Sequence, residues 1–347
     1  MKIVFYRHSL LSRGGDKMFL FHANRLAEAG HDVTLYCNTK ESVFSINPGL
    51  HLQKIPWPGK AGTILFGLLC KFAADIVVAD IIPLAVALSM RNHRVTYFAQ
   101  DLDTSYYTSP LLIALMRFLL RWGMGGKNIP TLAVSATLAE ELRLLTGKAC
   151  KVIPNGIEQT VFYPEPSEAL IAGKKGKMAV LLHARSDQRK GFDLAGQVIH
   201  NLLQKGAPPF VIWTVGEHTG DTFKDSEHRD FGYVDEQQLR QIMSSADIFL
   251  YPSRHEGFGL FPLEAMACGC AVVTTSAVPY ARHGENALVA PVEDCATLEK
   301  QVFELLHDPT TCSRLRQAGK NLARQYSSAE SARHFGQALA GIMKNEP

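Results

Sequence analysis

The sequence predicts an α/β chain made of two doubly wound parallel-sheet domains facing across a cleft. Three observations carry that prediction. Short apolar runs of strand length, rich in β-branched and aromatic residues, alternate with helix-length segments along the chain, the order expected of a parallel sheet with crossover helices. The series begins twice, at Ile3 and again at Met178, with a stretch of prolines, glycine and lysines in between. A length of 347 residues is enough for two cores of ordinary size.

Residues 3–6 read as a buried strand, and Gly14 and Gly15 follow in a loop. Residues 18–29 have helical periodicity and stop at Gly30, and residues 33–37 form the next strand. A strand, glycine loop, helix and strand open a doubly wound unit, whose ligands sit at the carboxyl ends of the strands. Strands at 76–79, 95–99 and 132–134 continue the series, and 151–153 closes the first half. The first domain is therefore expected at 1–160 and the second at 161–327, with 163–177 as the linker. In the second domain, strands are expected at 178–183, 211–215, 230–233, 248–251 and 271–274. The last helix, at about 328–347, is expected to pack back on the first domain. A cleft between two such domains is the usual place for a ligand.

Composition narrows the function classes. Hydrophobic residues make up 46% and charged residues 20%, the balance of a globular domain, and a net charge of +3 gives no electrostatic reason to expect nucleic acid. The seven cysteines lack zinc-ligand or redox-motif spacing, so a reducing, cytoplasmic setting is expected. The opening residues MKIVFYRHS are too briefly apolar for a signal peptide and read as the first strand. Residues 111–122 are apolar with Arg117 and Arg121 among them, and are expected as a core helix with two snorkelling arginines. The alternative for this stretch is a peripheral contact with the inner face of a membrane, near a lipid-linked acceptor.

Chemistry concentrates in residues 246–275, ADIFLYPSRHEGFGLFPLEAMACGCAVVTT. Two apolar runs bracket a turn with Gly257 and Gly259 and a helix that carries Pro262 in its first turn and stops at Gly269. The free N–H groups of that helix start suit a phosphate. Glu256 and Glu264 flank the start, and carboxylates beside an anion site more naturally accept hydrogen bonds from hydroxyls of the same ligand. A ligand with phosphates and hydroxyls is a sugar nucleotide. Upstream, His183-Ala-Arg-Ser-Asp-Gln-Arg-Lys-Gly191 places Arg185 and Lys190 around a short turn after a strand, where both cations can reach one diphosphate. A solvated loop is the plain alternative.

Five segments in order carry a resemblance: RGGDKMFLFHANRLAEAGHDVTLYC, KVIPNGIEQTVFYP, HARSDQRKG, FGYVDEQQLRQIMSSADIFLYPSRHEGFGLFPLEAMACGCAVV and ENALVAPVEDCATL. Together they resemble the retaining glycosyltransferases of family 4, which have the two-domain glycosyltransferase-B fold of Rossmann-like halves. The resemblance implies roles for named residues. Glu256 accepts hydrogen bonds from the donor sugar, the backbone of Gly257, Phe258, Gly259 and Leu260 surrounds sugar and diphosphate, and Glu264 holds the ribose. Arg185 and Lys190 neutralise the leaving diphosphate, and Gly15 lets the first-domain backbone approach it. No metal and no cofactor are expected, because the cations do that work and the nucleotide sugar is a substrate. The acceptor is a glycan or lipid-linked molecule.

Two departures stand out. Gln100-Asp101 occupies the place of a frequent histidine, similar to rhamnosyltransferase-like members, which makes Asp101 a catalytic candidate with helix capping as its alternative. Ala184 stands where glycine is common. A sugar-nucleotide epimerase and a non-catalytic sugar-nucleotide-binding protein are the rival readings.

Overall fold

The computed structural model describes residues 1–11, 13–41, 44–220 and 222–344. Residues 1–155 together with the chain from Ala329 onward form one compact unit, and Gly156–Ser328 forms the other. Each is a parallel sheet clothed by helices.

Among the described residues the sheet of the first unit has seven strands, in the order Leu50–Lys54, Asp32–Cys37, Lys2–Tyr6, Ile76–Ala79, Val95–Ala99, Thr131–Ala133 and Lys151–Val152. Every pairing is parallel. The central strands are short Val- and Ile-rich runs because both faces are covered. Phe5 meets Phe19 edge-on at 5.0 Å between ring centres, and His22 stacks on Phe335 at 4.2 Å. Those contacts join the first strand, the Gly14–Glu28 helix and the Ser328–Lys344 helix. Residues 345–347, the expected end of the last helix, lie outside the described residues.

The sheet of the second unit runs His228–Asp230, Phe210–Gly216, Met178–Ala184, Ile248–Tyr251, Ala271–Thr275 and Leu288–Ala290, again all parallel. Its first strand, Met178–Ala184, lies between two neighbours whose connections leave in opposite directions. The carboxyl ends of Met178–Ala184 and Ile248–Tyr251 therefore form the crevice where ligands bind in such sheets. In the first unit the corresponding pair is Lys2–Tyr6 and Ile76–Ala79.

Several expectations are corrected. The first helix starts at Gly14 and not at 18, because Lys17 N–H already closes a turn on the Arg13 carbonyl, so Gly14 and Gly15 are helical and not looped. The unit boundary falls at 155/156 and not at 160/161, since Ile157 N–H bonds to the Tyr326 carbonyl and Ser328 N–H returns to the Ile157 carbonyl. Residues 163–177 are no free linker. They contain the Glu168–Gly173 helix and are pinned to the second unit by Ser244 Oγ on Glu165 N, Ser245 Oγ on Ser167 N, and the Lys174–Asp247 ion pair at 2.8 Å. The strand expected at 230–233 is His228–Asp230 instead, because the Asp230 carboxylate takes the N–H groups of Thr219 and Gly232 and turns the chain at Gly232, whose φ is +61°.

Residues 111–122 are not buried core. Pro110–Leu120 is a helix that buries Met116 and Leu120 but leaves Leu111, Leu112, Leu115 and Phe118 in solvent, with Trp122 beyond its end. The cause is plain in the sequence: apolar residues surround nearly the whole helix circumference, and one sheet can cover only one side of it.

Candidate functional site

The crevice of the second unit is made by two loops that lock together. After Met178–Ala184 comes a tight turn of residues 188–190, then Gly191 at φ +70° as the start of the Phe192–Gln204 helix. A Cβ on Gly191 would lie 1.9 Å from the Pro252 carbonyl oxygen, so only glycine lets this loop press against the one after Ile248–Tyr251. The press is sealed by Arg254 N–H on the Arg189 carbonyl at 2.7 Å and by Arg254 Nη1 on the Gln188 carbonyl at 2.6 Å. Arg254 itself is held by Asp193 and Glu293, which push its guanidinium pKa further up.

The lock sets Lys190 beside Glu256. Lys190 Nζ donates to Glu256 Oε1 at 2.8 Å, and Tyr251 Oη donates to the same oxygen at 2.7 Å. Ser253 Oγ lies 2.8 Å from it and 2.9 Å from the Arg189 carbonyl, its single proton serving one acceptor at a time. The Glu256 side chain is only 7% exposed, whereas Lys190 keeps 25%. Burial, and then the Glu256 charge, raise the Tyr251 hydroxyl well above its usual range, so it stays a donor.

Arg185 is placed differently. Its Nε faces Glu217 at 3.7 Å, and the second Glu217 oxygen accepts from Ser186 N–H at 2.8 Å. Arg185 and Lys190 thus rest on two separate carboxylates, Glu217 and Glu256, and not on one shared group. His183, near the end of the Met178–Ala184 strand, is stacked 4.1 Å from Phe261 and faces Tyr251 at 6.0 Å. Burial first, and then Arg185 and Lys190, hold its pKa down at about 3, so the ring is neutral. Its Nδ1 has no hydrogen-bond partner among the described residues.

The Leu260–Cys268 helix starts at the same crevice from Gly259, at φ +85°, whose carbonyl accepts from Tyr280 Oη. Phe258 is buried. Its ring packs 5.3 Å from Tyr280 and 5.5 Å from Tyr326, so Phe258 offers backbone and anchors the turn. Gly257 is buried beside it, and Leu260 opens the helix. Glu264 is buried one turn in, 6% exposed.

Gly15 and Asp101 belong to the first unit. Gly15 O accepts from Gln100 Nε2 at 2.8 Å, and a Cβ there would meet only Gln100 atoms at ordinary distances, so the protein's own packing does not demand glycine. The cap position of the short helical turn Asp103–Tyr106 is held by Leu102, one residue after Asp101. The Asp101 carboxylate takes Leu102 N–H at 2.8 Å, whereas Asp103, two residues on, accepts from Ile82 N–H and Tyr97 Oη, both at 2.8 Å. Burial raises Asp103 to about 7. Sequence reasoning missed Glu217, Tyr251, Ser253, His183 and Asp103. Tyr251 and Ser253 directly precede the marked turn and carry the polar atoms a buried carboxylate needs, which is a readable signal. Glu217 gave none.

Among the described residues, no three His, Cys, Asp or Glu side chains converge where a metal ion could be held. No helix there is long and apolar enough to cross a membrane.

In comparison with known proteins, residues 177–308, most of the second unit, match the family described as Glycosyl transferases group 1. The chain is 32% identical over 168 residues to the phosphatidylinositol N-acetylglucosaminyltransferase gpi3 subunit of Schizosaccharomyces pombe, covering 45% of this chain and 36% of that one. It is 31% identical over 179 residues to the lipopolysaccharide core biosynthesis mannosyltransferase LpcC of Rhizobium leguminosarum bv. viciae, covering 46% of this chain and 50% of that one. The chain thus spans half or less of the length of these curated relatives. Among solved structures, sucrose-phosphate synthase from Thermosynechococcus elongatus superposes with a TM-score of 0.81 over 100% of both chains at 16% identity, a likeness of fold.

Proposed function

From a chain that is family 4-like and has the glycosyltransferase-B fold, we propose that it transfers a hexosyl or deoxyhexosyl unit from a nucleotide sugar to an acceptor hydroxyl, with retention and without a metal. One observation supports this most: Lys190 and Glu256, far apart in sequence, are bonded to each other in the crevice at the start of the Leu260–Cys268 helix. That is the cation, the carboxylate and the N–H cluster that a sugar diphosphate requires.

The costly event is separation of the diphosphate from an oxocarbenium-like sugar, so leaving-group charge must be stabilised. Lys190 turns from Glu256 to the diphosphate, and Arg185 and the helix start share the charge. Glu256 keeps Tyr251 and Ser253 as donors and takes the sugar hydroxyls in place of Lys190. Glu264 accepts from the ribose hydroxyls. The acceptor oxygen attacks the anomeric carbon on the face the diphosphate leaves, the C–O bond electrons depart with the diphosphate, and a donor phosphate oxygen takes the acceptor proton. Gly15 serves the donor, its backbone open to the diphosphate, and Asp101 is the catalytic candidate of the first unit. The two relatives are named for phosphatidylinositol and for lipopolysaccharide core, which supports a glycan or lipid-linked acceptor.

The test incubates the full chain with UDP-, GDP- and dTDP-hexoses, with and without a bacterial lipid extract, and follows donor and product anomeric protons by NMR. Acceptor-dependent release of one nucleoside diphosphate with an axial donor giving an axial product is expected. Conversion of the donor to an epimer without acceptor, or binding without turnover, would overturn the reading in favour of one of its two rivals.

A further inference from the structure

The Pro110–Leu120 helix carries a stripe with no protein cover among the described residues. Leu111, Leu115, Phe118 and Trp122 recur at intervals of four, three and four, which at 100° per residue keeps them within about 60° of arc. Leu111 is 79% exposed and Phe118 60%, and the Phe118 and Trp122 rings stack at 6.1 Å. The opposite face, Met116 and Leu120, is buried. Scattered exposed leucines are ordinary, but a continuous aliphatic and aromatic stripe on one helix is not.

The surroundings identify its occupant. Between positions 110 and 127 every charged residue is basic: Arg117, Arg121 and Lys127. Both arginines are exposed and fall on one flank of the stripe, and Lys127 Nζ lies 5.5 Å from the centre of the Trp122 ring. Arg121 Nε donates to the Leu145 carbonyl, which ties this helix to the end of the Ala136–Thr146 helix, where Leu144 is 71% exposed and Lys148 follows in solvent. The acidic residues of that second helix are Glu140, occupied by Arg143 at 2.6 Å, and Glu141, which also has a partner. Just before the stripe, Tyr106 and Tyr107 are exposed as well. An apolar stripe, a cationic flank and amphipathic aromatic rings at its margins match a helix lying flat in the headgroup region of an anionic bilayer. A protein partner of like composition would need carboxylates to answer these cations, whereas an anionic leaflet supplies charge and hydrocarbon together.

We propose that the Pro110–Leu120 helix and the adjoining 121–127 segment form a docking surface for an anionic lipid bilayer. It gives the lipid-linked-acceptor reading a physical contact, but the binding requires neither donor nor acceptor, so its test stands apart from any test of sugar transfer.

Co-sedimentation of the full chain with phosphatidylcholine vesicles, and with phosphatidylcholine–phosphatidylglycerol vesicles, reads the binding directly. The wild type is expected to pellet with the mixed vesicles, to be released by salt, and to remain largely free with phosphatidylcholine alone. Arg117→Ala lowers partitioning into the mixed vesicles about fivefold. The double substitution Leu111→Glu, Phe118→Glu lowers it by more than about tenfold. Both sites are exposed, and an unchanged circular dichroism spectrum and melting temperature confirm that the variant is folded. Trp122 emission shifts to the blue on vesicle addition, and Trp122→Phe removes that shift. Equal binding to both vesicle types, or binding untouched by the glutamates, overturns the proposal. So does a concentration-dependent dimer in size-exclusion chromatography that the glutamates abolish, which would make the stripe a contact between copies of the chain.

Discussion

Both units build the same crevice from the same topology and fill it in opposite ways. In the first unit, Arg7 leaves the first strand and meets Asp16 from the following helix at 2.6 Å and Asp80 from the neighbouring strand at 3.2 Å. All three side chains are nearly buried, at 11, 5 and 9% exposure. In the second unit, Lys190 follows the first strand and meets Glu256 from the loop after the neighbouring strand, with a quarter of its side chain still in solvent. One crevice is plugged by its own ion cluster; the other holds an ion pair that an incoming anion can reach. The fold thus supplies both crevices, and they differ in how far the cation is enclosed: Arg7, directly after its strand, is nearly buried, whereas Lys190, in the turn further on, keeps a quarter of its side chain in solvent.

The titratable groups follow the same division. Burial is the first cause at Asp16, Asp80 and Asp103 of the first unit and raises all three carboxyl groups. Around the second crevice, Asp187 and Asp193 are held below the usual carboxylate range, chiefly by hydrogen bonds from Arg189 and Arg254. Carboxylates that keep their charge on demand suit the handling of hydroxyls and cations.

The comparison can be broken at Lys190. Lys190→Ala should lower turnover by ~10² to 10³, the cost of removing one stabiliser of developing charge. A transfer assay in which turnover stays within about twofold of wild type would take Lys190 out of the mechanism and leave the ion pair as an element of fold. A smaller effect is expected at Tyr251. Tyr251→Phe removes one of the donors to Glu256 Oε1, and a hydrogen bond to a charged group corresponds to roughly ten- to a hundredfold. Because Tyr251 acts through Glu256, the loss should fall on the sugar, weakening binding of the full donor while the free nucleoside diphosphate binds as before. Equal weakening of both would make Tyr251 merely structural.

The smallest effect concerns Asp103, whose folded-state pKa of about 7 lies above its ordinary 3.8. The folded state therefore binds more protons than the unfolded chain between these values, and stability from this group is full below about 4 and is lost as pH rises towards 7. His22, fully buried and held at about 3 by burial, slopes the opposite way and loses stability as pH falls below 6.5. Comparing Asp103→Asn with wild type cancels the histidine. Asparagine keeps an acceptor for Ile82 N–H and Tyr97 Oη without the charge, so the variant should gain on wild type in urea-denaturation midpoint from pH 4.5 to pH 7. A constant difference across that range would refute the buried-carboxyl account.

Much of this was readable in the residues. The Val- and Ile-rich runs, the glycine stops and the proline in the first turn of residues 260–268 identify a buried parallel sheet and a helix start, because burial on both faces leaves a continuous apolar pattern. The Leu50–Lys54 strand was not readable: it buries only its first residue, as an edge can, and its polar sequence looks like a loop. The exposure of Phe118 was hidden for the converse reason, since a helix apolar nearly all round does not announce which side is covered. The Lys190–Glu256 bond and the grip of Glu217 on the Arg185 turn are tertiary. They depend on strand order and on the close approach that Gly191 permits, which spacing along the chain does not encode.

The most direct measurement is ligand-observed NMR of UDP-, GDP- and dTDP-hexoses with wild type and with Glu256→Gln. One member of the panel should bind the wild type, with saturation transfer to its sugar protons as well as its base, and the variant should lose the sugar signals while still binding the nucleotide. If no member binds, or if the variant keeps the sugar contact intact, the second crevice is not the nucleotide-sugar site proposed for it.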